Sequence, residues 1–486
     1  MRRPIHLRRL CIWSLALSWL LSGCVWDTNF FDDYSEAGLM DFADMGAEGP
    51  LADMALPADA APPPTTSGLG PDCSVGGCGL VTFTGSAQLA GLAADDGGGA
   101  WVLINGPVSS ARSGGQDEAL DPNAPGHLIH ITGGGFVVDF VAPLPFRGTG
   151  LAATNTAVFV SGHNVQAGEF LDRSLDPAQG NAIIARIANQ QLQWWVTWSS
   201  STPPKLGSEG PTAVWIAGSP GNPTFTRDGA ATPFFEGSAP DAPGQFVARF
   251  TGLGDLEWLQ PFGAPDASTA LFDVGPGGHG VIAATGNGTF WDGTALSPVM
   301  FTLAQINSAG GIIWTQPSTA MPTALAVDPG GRTWMTARVS GDPGELPVEH
   351  PEGEAGYSAL GLLLPNGIAS GASALVGPQG GTIDAIGASG SPLVLGQTYG
   401  EGSTTLAERT VGATGLFIAG VNANVRSTWM QRIGPPSPNA PQGRAVSEGG
   451  QFQFIAADAF APIEWGGETS PYAGQPTVVV LRFPTP

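Results

Sequence analysis

Residues 244–263, GQFVARFTGLGDLEWLQPFG, contain the unit that decides the fold of this chain. An apolar run is followed by a polar turn with glycine and then by a second run that opens near a tryptophan. Four copies place an apolar residue eight positions ahead of a tryptophan, namely Ile187/Trp195, Phe250/Trp258, Ile306/Trp314 and Val421/Trp429. A recurring unit of this kind indicates an architecture built from repeated supersecondary units.

The composition favours an all-β fold with many turns. The chain has 486 residues, of which 72 are Gly and 43 are Pro, and these residues separate short apolar runs. The hydrophobic fraction is 42% and there are 14 Trp, so the chain has ample material for a core. Gly and Pro between short apolar runs mark turns rather than disorder in such a sequence.

Seven units of ~55–65 residues follow one another from residue 80 onward, which is the range of propeller repeats. Their second strands are predicted at 101–103, 158–160, 214–216, 281–283, 333–335, 393–395 and 452–454. The strand before each is rich in small residues, as in 91–94 and 150–153. Small side chains suit the inner strands of a propeller, where the blades converge on a central channel. The sequence therefore predicts a seven-bladed β-propeller of four-stranded blades.

The two ends of the repeat region complement each other. After the strand-like segment 477–483 the chain stops at Pro486, with no room for an outer strand. Residues 80–84 have strand composition but precede the first unit. Pairing these two segments would close the ring and cover edges that would otherwise be free.

Several short motifs resemble the bacterial seven-bladed β-propeller repeats called SBBP. They are the turn at 328–331, the aromatic–glycine segments at 290–293 and 465–467, the run Phe246–Phe250, and the tryptophan that follows it. The resemblance covers roughly residues 80–486. It implies a propeller on a secreted or lipid-anchored protein and brings no catalytic residues. The fifth unit departs from it, with Ala372 where the tryptophan is expected.

The first 23 residues form a predicted secretory signal. Four arginines precede the apolar run LCIWSLALSWLL, which is too short to span a ~30 Å hydrocarbon core. The run ends in Leu21-Ser22-Gly23-Cys24, which resembles a bacterial lipobox. By that resemblance Cys24 becomes the lipid-modified first residue. Val25 follows where retention in the inner membrane usually calls for Asp, so we expect a lipid anchor at the outer membrane or cell surface.

Residues 24–72 are predicted to be a disordered acidic tether. From Val25 to Asp72 there are ten Asp or Glu and no Lys or Arg, so the segment cannot bury enough apolar surface to fold. Cys73 and Cys78 follow it and are expected to form a disulfide in an oxidising compartment. The domains are thus a signal peptide at 1–23, a tether at 24–72 and a propeller at 73–486.

The charge of the chain limits its partners. Eighteen Lys and Arg stand against 41 Asp and Glu, giving a formal net charge of −23. A surface this negative repels the phosphate backbone, which excludes nucleic acid as an expected partner. We expect contact with the membrane through the lipid anchor and a protein or glycan partner that the sequence does not identify.

No catalytic, cofactor or metal site is predicted. His127 and His130 are three positions apart, which places them on opposite faces of a strand. No serine-hydrolase elbow, calcium loop or P-loop is present. The turn at Asp328 resembles the Asp box of sialidase-type propellers, but an Asp box is a structural hairpin, and the chain's tyrosines lack the arginine context of a sialidase.

Binding capacity is expected in the long connections, because loops on a rigid scaffold usually carry function. These are residues 105–126, 162–181, 218–244, 338–356 and 458–474, and they carry clustered acids that could hold Ca²⁺ or a cationic partner. The leading hypothesis is a non-enzymatic, lipid-anchored binding scaffold. The alternatives are a propeller enzyme, either a hydrolase or quinone-dependent, with its site in the central funnel, and a structural component of the envelope.

Overall fold

The computed structural model describes Cys73 and residues 77–485. Its gaps are at 155, 222–223, 229, 234–243, 341–345, 349–350, 352–355, 378–379, 389–391, 400–401, 413, 434–441, 450, 466 and 471–476. The chain divides into residues 1–63 and 64–486, and every described residue belongs to the second unit. The predicted signal, Cys24 and the predicted tether lie outside the described residues.

The strands are grouped into seven blades, each with an inner, a second, a third and an outer strand. The first described strand is β1 (Gly79–Gly85). Blade 1 is β2 (Gln88–Ala94), β3 (Ala100–Asn105), the hairpin β4 (Val108–Ser113) and β5 (Gln116–Ala119), β6 (Gly126–Ile131) and β7 (Val138–Leu144). Blade 2 is β8 (Arg147–Ala153), β9 (Val158–His163), the hairpin β10 (Gly168–Phe170) and β11 (Arg173–Leu175), a 3-10 turn (Pro177–Gln179), β12 (Ala182–Ala188) and β13 (Gln191–Trp198).

Blades 3 to 5 continue the same order. Blade 3 is β14 (Lys205–Ser208), β15 (Ala213–Gly218), the hairpin β16 (Thr224–Arg227) and β17 (Ala230–Pro233), β18 (Gln245–Thr251) and β19 (Leu256–Phe262). Blade 4 is β20 (Ser268–Gly275), β21 (His279–Thr285), β22 (Phe301–Asn307) and β23 (Ile312–Ser318). Blade 5 is β24 (Met321–Val327), β25 (Thr333–Val339), β26 (Tyr357–Leu363) and β27 (Ala369–Val376).

Blades 6 and 7 complete the ring. Blade 6 is β28 (Gly381–Gly387), β29 (Leu393–Thr398), the hairpin β30 (Ser403–Leu406) and β31 (Arg409–Gly412), β32 (Gly415–Val421) and β33 (Ser427–Ile433). Blade 7 is β34 (Gln442–Gly449), β35 (Phe452–Ala459), the hairpin β36 (Glu464–Trp465) and β37 (Glu468–Thr469), β38 (Thr477–Pro484) and, as its outer strand, β1.

The predicted seven-bladed β-propeller is confirmed. All seven predicted second strands lie in the second strand of a blade, and neighbouring strands within each blade are antiparallel. The apolar side chains that alternate along these strands pack between adjacent blades, and they form clusters such as Val81, Phe83, Val102 and Phe454 between blades 7 and 1. Burial of this apolar surface is the main stabilising term for a ring of this kind.

The ring is closed by strands from both ends of the chain, as predicted. β1 pairs with β38 in a register that joins Gly79 to Arg482 and Phe83 to Val478. On its other side β1 pairs with β4, so that it lies inside a six-stranded sheet. No free edge of β1 is left for pairing with another chain.

Three blades are wider than predicted, because a hairpin from the following blade is added to their outer edge. The hairpin β4–β5 extends blade 7, β16–β17 extends blade 2, and β30–β31 extends blade 5. Each of these hairpins comes from the connection between the second and third strands of its own blade. The additions tie adjacent blades together by backbone hydrogen bonds.

The register corrects one of the four predicted tryptophan pairs. In blades 3, 4 and 6 the predicted tryptophan is the third residue of the outer strand. These residues are Trp258, Trp314 and Trp429, respectively. In blade 2 the equivalent residue is Trp194, which pairs with Arg186, and Trp195 is one position too late. The cause is a tight turn, because Asn189 and Gln190 both have positive φ and shorten the connection.

These tryptophans pack against glycines in the next blade. Trp194, Trp258 and Trp314 lie over Gly254, Gly310 and Gly367, the positive-φ residues of the following third-to-outer turns. In blade 5 the tryptophan position is Gly371, one residue before the predicted Ala372, and in blade 7 it is Gly79; at both contacts the turn of the next blade supplies a large residue instead. These pairs are Gly371 with Val425 and Gly79 with Phe136.

Candidate functional site

The two ends of the ring differ in what they carry. Because the strands of a blade alternate in direction, the inner-to-second and third-to-outer turns share one end, which we call the turn end. The second-to-third connections and the links between blades share the other, the loop end. The five long connections predicted to bind ligand all join a second to a third strand, so each begins and ends at the loop end, but the hairpins β4–β5 and β16–β17 within two of them run from there along outer strands towards the turn end. Residues 286–300 and 399–414 join them there.

Acidic side chains at the loop end are largely open to solvent. All seven second-to-third connections contain Asp or Glu. The hairpin β4–β5 runs from the loop end along the outer edge of blade 7, so the exposed Asp117 and Glu118 lie level with Thr82 and Phe83 in the middle of that edge. Glu169, Asp172 and Asp176 are exposed on the connection of blade 2. Glu345, Glu349, Glu352 and Glu354, predicted in 338–356, lie outside the described residues. The described part of the loop end therefore presents a negative surface.

Two acids at the turn end, Glu209 and Asp328, are bonded within the fold instead. Glu209 accepts hydrogen bonds from Arg249 at 2.8 and 2.9 Å and from the Trp215 indole. The buried Asp328 accepts from the backbone N–H groups of Gly330 and Arg332, both at 2.9 Å. The predicted interpretation of this Asp328 turn as a structural hairpin agrees with its geometry. Both carboxylates therefore accept hydrogen bonds from within the fold.

His130 is bonded between two carboxylates at the turn end of blade 1. Its Nδ1 lies 2.6 Å from Asp139 Oδ1 and its Nε2 lies 2.8 Å from Asp95 Oδ2. Burial lowers the pKa of His130, but the two carboxylates outweigh it and the net pKa is raised. His127 is fully buried and burial lowers its pKa. The two histidines therefore lie in different surroundings, as expected for side chains on opposite faces of one strand.

The polypeptide joins the ring at the turn end. Outer strands run from the turn end to the loop end, and β1 is the outer strand of blade 7, so its first residue, Gly79, lies at the turn end. Gly77 accepts a hydrogen bond from Arg482 Nε at 2.8 Å. Just ahead, the Sγ atoms of Cys73 and Cys78 are 2.07 Å apart, a disulfide-bonding distance. The first described residues of the ring therefore lie at the end opposite the second-to-third connections.

The central channel is lined by the inner strands, and six of the seven carry a bulge at the same place. The extra residues are Ala90, Thr149, Ala270, Thr323, Asp384 and Arg444. Thr149 and Thr323 donate to carbonyl oxygens of the next inner strand, Pro204 O at 2.8 Å and Ile383 O at 3.2 Å. These bulges, which re-aim side chains, lie close to where the inner strands begin, near the loop-end mouth of the channel.

A polar cluster from blades 5, 6 and 7 occupies this mouth. Burial raises the pKa of Asp384 to about 6, although Thr382, Arg444 and Arg338 each favour its charged form. Arg444 Nε donates to Asp458 Oδ2 at 2.7 Å. Tyr399 donates to Gln397 Oε1 at 3.0 Å and is 42% exposed. The small-residue pattern of the sequence predicted small side chains in the inner strands. The structure adds threonine, aspartate and arginine at the bulge positions.

This cluster is the convergence of carboxylates and arginines that the enzymatic alternative requires. It can hold a small polar molecule by charge and hydrogen bonding. Sequence reasoning did not find it, because Asp384 and Arg444 stand alone in inner strands and their neighbours come from other blades. The signal available in the sequence was the presence of charged residues at positions where the other units have Ala or Thr.

In the described part of the chain, no group of three or more His, Cys, Asp or Glu is arranged to hold a metal ion. Within the same residues, no helix is long and apolar enough to cross a lipid bilayer.

Comparisons with known proteins concern the fold. No protein-family model matches the chain, and no curated protein matches its sequence. BamB from Moraxella catarrhalis is 10% identical, with 81% of this chain and 82% of BamB covered and a TM-score of 0.36. The β-propeller domain of Cps50 (Swd1) from Myceliophteria thermophila is 10% identical, with coverages of 82% and 97% and a TM-score of 0.42. Quinohemoprotein alcohol dehydrogenase from Comamonas testosteroni is 10% identical, with coverages of 84% and 77% and a TM-score of 0.35. Likeness at this level carries no ligand or activity over to this chain.

Proposed function

We propose that the chain is a lipid-anchored, extracytoplasmic binding scaffold. Lipid on Cys24 holds it at the outer membrane or cell surface, residues 24–72 act as a spacer, and the propeller presents its loop end to a partner. The observation that carries the proposal is the attachment of the preceding chain at the turn end. A ring held by that end turns its acidic loops away from the membrane.

The chemistry of the loop end favours a protein partner with a basic surface. Glu169, Asp172 and Asp176 are exposed there, and Arg173 is the one basic residue among them in the chain. Complementary charge accelerates association and aligns partners, and it weakens as salt is added. An anionic glycan would be repelled by the same surface.

Anchoring is tested by metabolic labelling with an acyl-chain analogue. The wild-type chain should incorporate the label, and the Cys24→Ala variant should not. Label retained in the variant would contradict lipidation at this position. Mass measurement of the same material under non-reducing conditions tests the proposed Cys73–Cys78 disulfide, since two free thiols would react with an alkylating reagent.

Partner binding is tested by a photo-crosslinking amino acid placed at Glu169 on the loop end. The matched control carries it at Asp96, an exposed acid on a turn-end hairpin. We expect a crosslinked envelope protein from Glu169 and none from Asp96. The product should weaken in the Asp172→Asn variant and at high salt. Crosslinks from Asp96 alone, or from neither position, would contradict a loop-end interface.

A further inference from the structure

One position in the outer strands varies with whether a blade receives an added hairpin. It lies three residues after the tryptophan position, which Phe140 holds in blade 1. In the three blades that a hairpin extends, the residue there is Thr82, Thr197 or Ala374. In blades 1, 3 and 4, whose outer strands gain no further partner among the described residues, it is Pro143, Pro261 or Pro317. Blade 6 has Arg432 and follows neither pattern.

The backbone at this position faces the outer edge of the blade. In an antiparallel ladder the N–H and C=O of one residue point the same way, and the direction alternates along the strand. In blade 2, Trp195 O accepts a hydrogen bond at 3.2 Å from Asp228 N in the added hairpin. Thr197 is two residues further on, so it points the same way, and it pairs with Thr226 of β16. A proline here removes the donor and puts its ring in the path of an added strand, while the ladder to the third strand stays intact.

Blade 4 has room for an added strand at this edge. A groove of about 530 Å³ lies beside β23, and its lining includes Thr315, Gln316 and Asn366. The equivalent place in blade 2 holds the end of β16, where Arg227 donates to Leu253 O at 2.7 Å. Leu253 and Asn366 are equivalent because each precedes the glycine that packs on a tryptophan. Pro317 is exposed on the same strand as the groove. Lack of space therefore does not explain why β23 has no added strand.

An open edge at this place would be prone to pair with another molecule. Ile313 on β23 is 39% exposed, and Ile368 at the side of the groove is 62% exposed. On β19 of blade 3, Leu256 is 37% exposed. Unpaired N–H and C=O groups beside exposed apolar side chains form a template for a strand from a second copy of the chain.

We propose that the ring protects its rim in two alternative ways, and that the residue at this position decides between them. In blades 2, 5 and 7 the edge has a residue that can donate or fit beside a strand, and a hairpin of the next blade covers it. In blades 1, 3 and 4 the edge is closed by Pro143, Pro261 and Pro317, which prevent β-pairing with a second copy of this chain. The proposal does not depend on the lipid anchor or on the partner at the loop end.

The first test closes an edge that is now covered. In Thr197→Pro the hairpin β16–β17 should detach from blade 2, because the ring occupies the place of the β16 strand. Hydrogen exchange of β16, followed by mass spectrometry, should become at least about tenfold faster as ladder hydrogen bonds are lost. Exchange in β12 should stay as in wild type, because Thr197 faces away from it. Unchanged exchange in β16, or faster exchange in β12 as well, would overturn the proposal.

The second test opens an edge that is now closed. Pro317→Thr copies blade 2 onto blade 4, and Pro122→Thr, at an exposed proline in a turn, is the matched control. The full chain is examined by sedimentation velocity in detergent, which keeps a lipid from driving association, and its melting temperature shows whether the ring is folded. Pro317→Thr should shift to the sedimentation coefficient of a dimer as concentration rises, and wild type and Pro122→Thr should not. Wild-type sedimentation of a folded Pro317→Thr chain would overturn the proposal, as would equal association of Pro122→Thr.

Discussion

At the scale of single residues, buried titratable groups couple the fold to pH. Asp273 on the inner strand of blade 4 accepts a hydrogen bond from Val327 N at 2.8 Å, on the next inner strand. Burial raises the pKa of Asp273 to about 6. Ser447 takes the equivalent place in blade 7 and accepts from Ala94 N at 2.9 Å, so the same bond forms there without a charge.

The charge on Asp273 should therefore cost stability at neutral pH. A folded-state pKa above the unfolded value means that the folded state binds the proton more tightly, so stability rises as pH falls from about 6 towards 4. We expect Asp273→Asn, which keeps an acceptor, to raise the free energy of unfolding by about 1–2 kcal/mol at pH 8, less than the shift implies because Asp273 is partly exposed. The gain should vanish near pH 4 in urea titrations.

The exposed acid Asp117 provides the control for this measurement, since Asp117→Asn should leave the pH profile unchanged. A loss of stability in Asp273→Asn at pH 8 would show that the carboxylate is favourable where it stands. The Asp273→Ser variant, which copies blade 7, should behave like Asp273→Asn.

His130 should respond in the opposite direction. Its pKa is raised, so its contribution to stability is complete below the unfolded pKa of ~6.5 and is lost as pH rises through the folded pKa. NMR titration of the imidazole protons should place His130 above ~6.5 and His127 below it. Asp139→Asn should lower the His130 midpoint and leave that of His127 in place. Equal midpoints for both histidines would contradict the bonding described here.

At the scale of elements, neighbouring blades exchange large and small residues at one contact. Where an outer strand carries Trp, as at Trp314, the next turn carries Gly at positive φ, as at Gly367 with φ of 82°. Where the outer strand carries Gly371, the next turn carries Val425, with φ of 57°. The contact is thus filled from one side or from the other, at the high packing density usual in protein interiors.

This exchange predicts coupling between the two positions. Gly367→Val should destabilise the ring by about 2–4 kcal/mol, because it overpacks Trp314 and strains a positive-φ residue. Trp314→Gly should leave a cavity and cost about 3–5 kcal/mol. The double variant, which copies the contact between blades 5 and 6, should be more stable than the sum of the two losses by at least about 1 kcal/mol. Additive losses in thermal and urea unfolding would refute the coupling.

At the scale of the whole molecule, Arg482 joins the first and last strands of the ring at its seam. Its guanidinium lies 4.7 Å from the centroid of Phe136 and 4.6 Å from that of Phe452. It donates to the carbonyl oxygens of Gly77 and Gly133, and it is 5% exposed. One side chain therefore contacts the start of the ring, blade 1 and blade 7.

Arg482→Met should weaken this seam. The variant leaves two carbonyl groups without their donor and removes both aromatic contacts, so we expect a loss of about 2–4 kcal/mol in the free energy of unfolding. Limited proteolysis should cut near residues 73–79 sooner than in wild type. Arg426→Met, at a side chain that is 63% exposed, is the control and should change stability by less than about 0.5 kcal/mol. Similar behaviour of the two variants would argue against a seam at Arg482.

The ring could be predicted from the sequence because it depends on local patterns. Apolar alternation, small inner strands and two half-units at the ends were enough for blade number and closure. The position of Trp194 was missed because it depends on the exact length of one turn. The cluster at Asp384 and Arg444 was missed because it is assembled from three blades, and spacing along the chain does not report contacts across a channel.

The position of β1 also has a mechanical consequence. Because the preceding chain joins β1 at the turn end, tension on that chain would act along the axis of the strand. β1 is hydrogen-bonded along its length to β38 on one side and to β4 on the other. Both ladders would then be loaded in shear, with many bonds sharing the force at once, rather than being opened one by one. The strand that closes the circle is thereby the strand best placed to withstand being pulled.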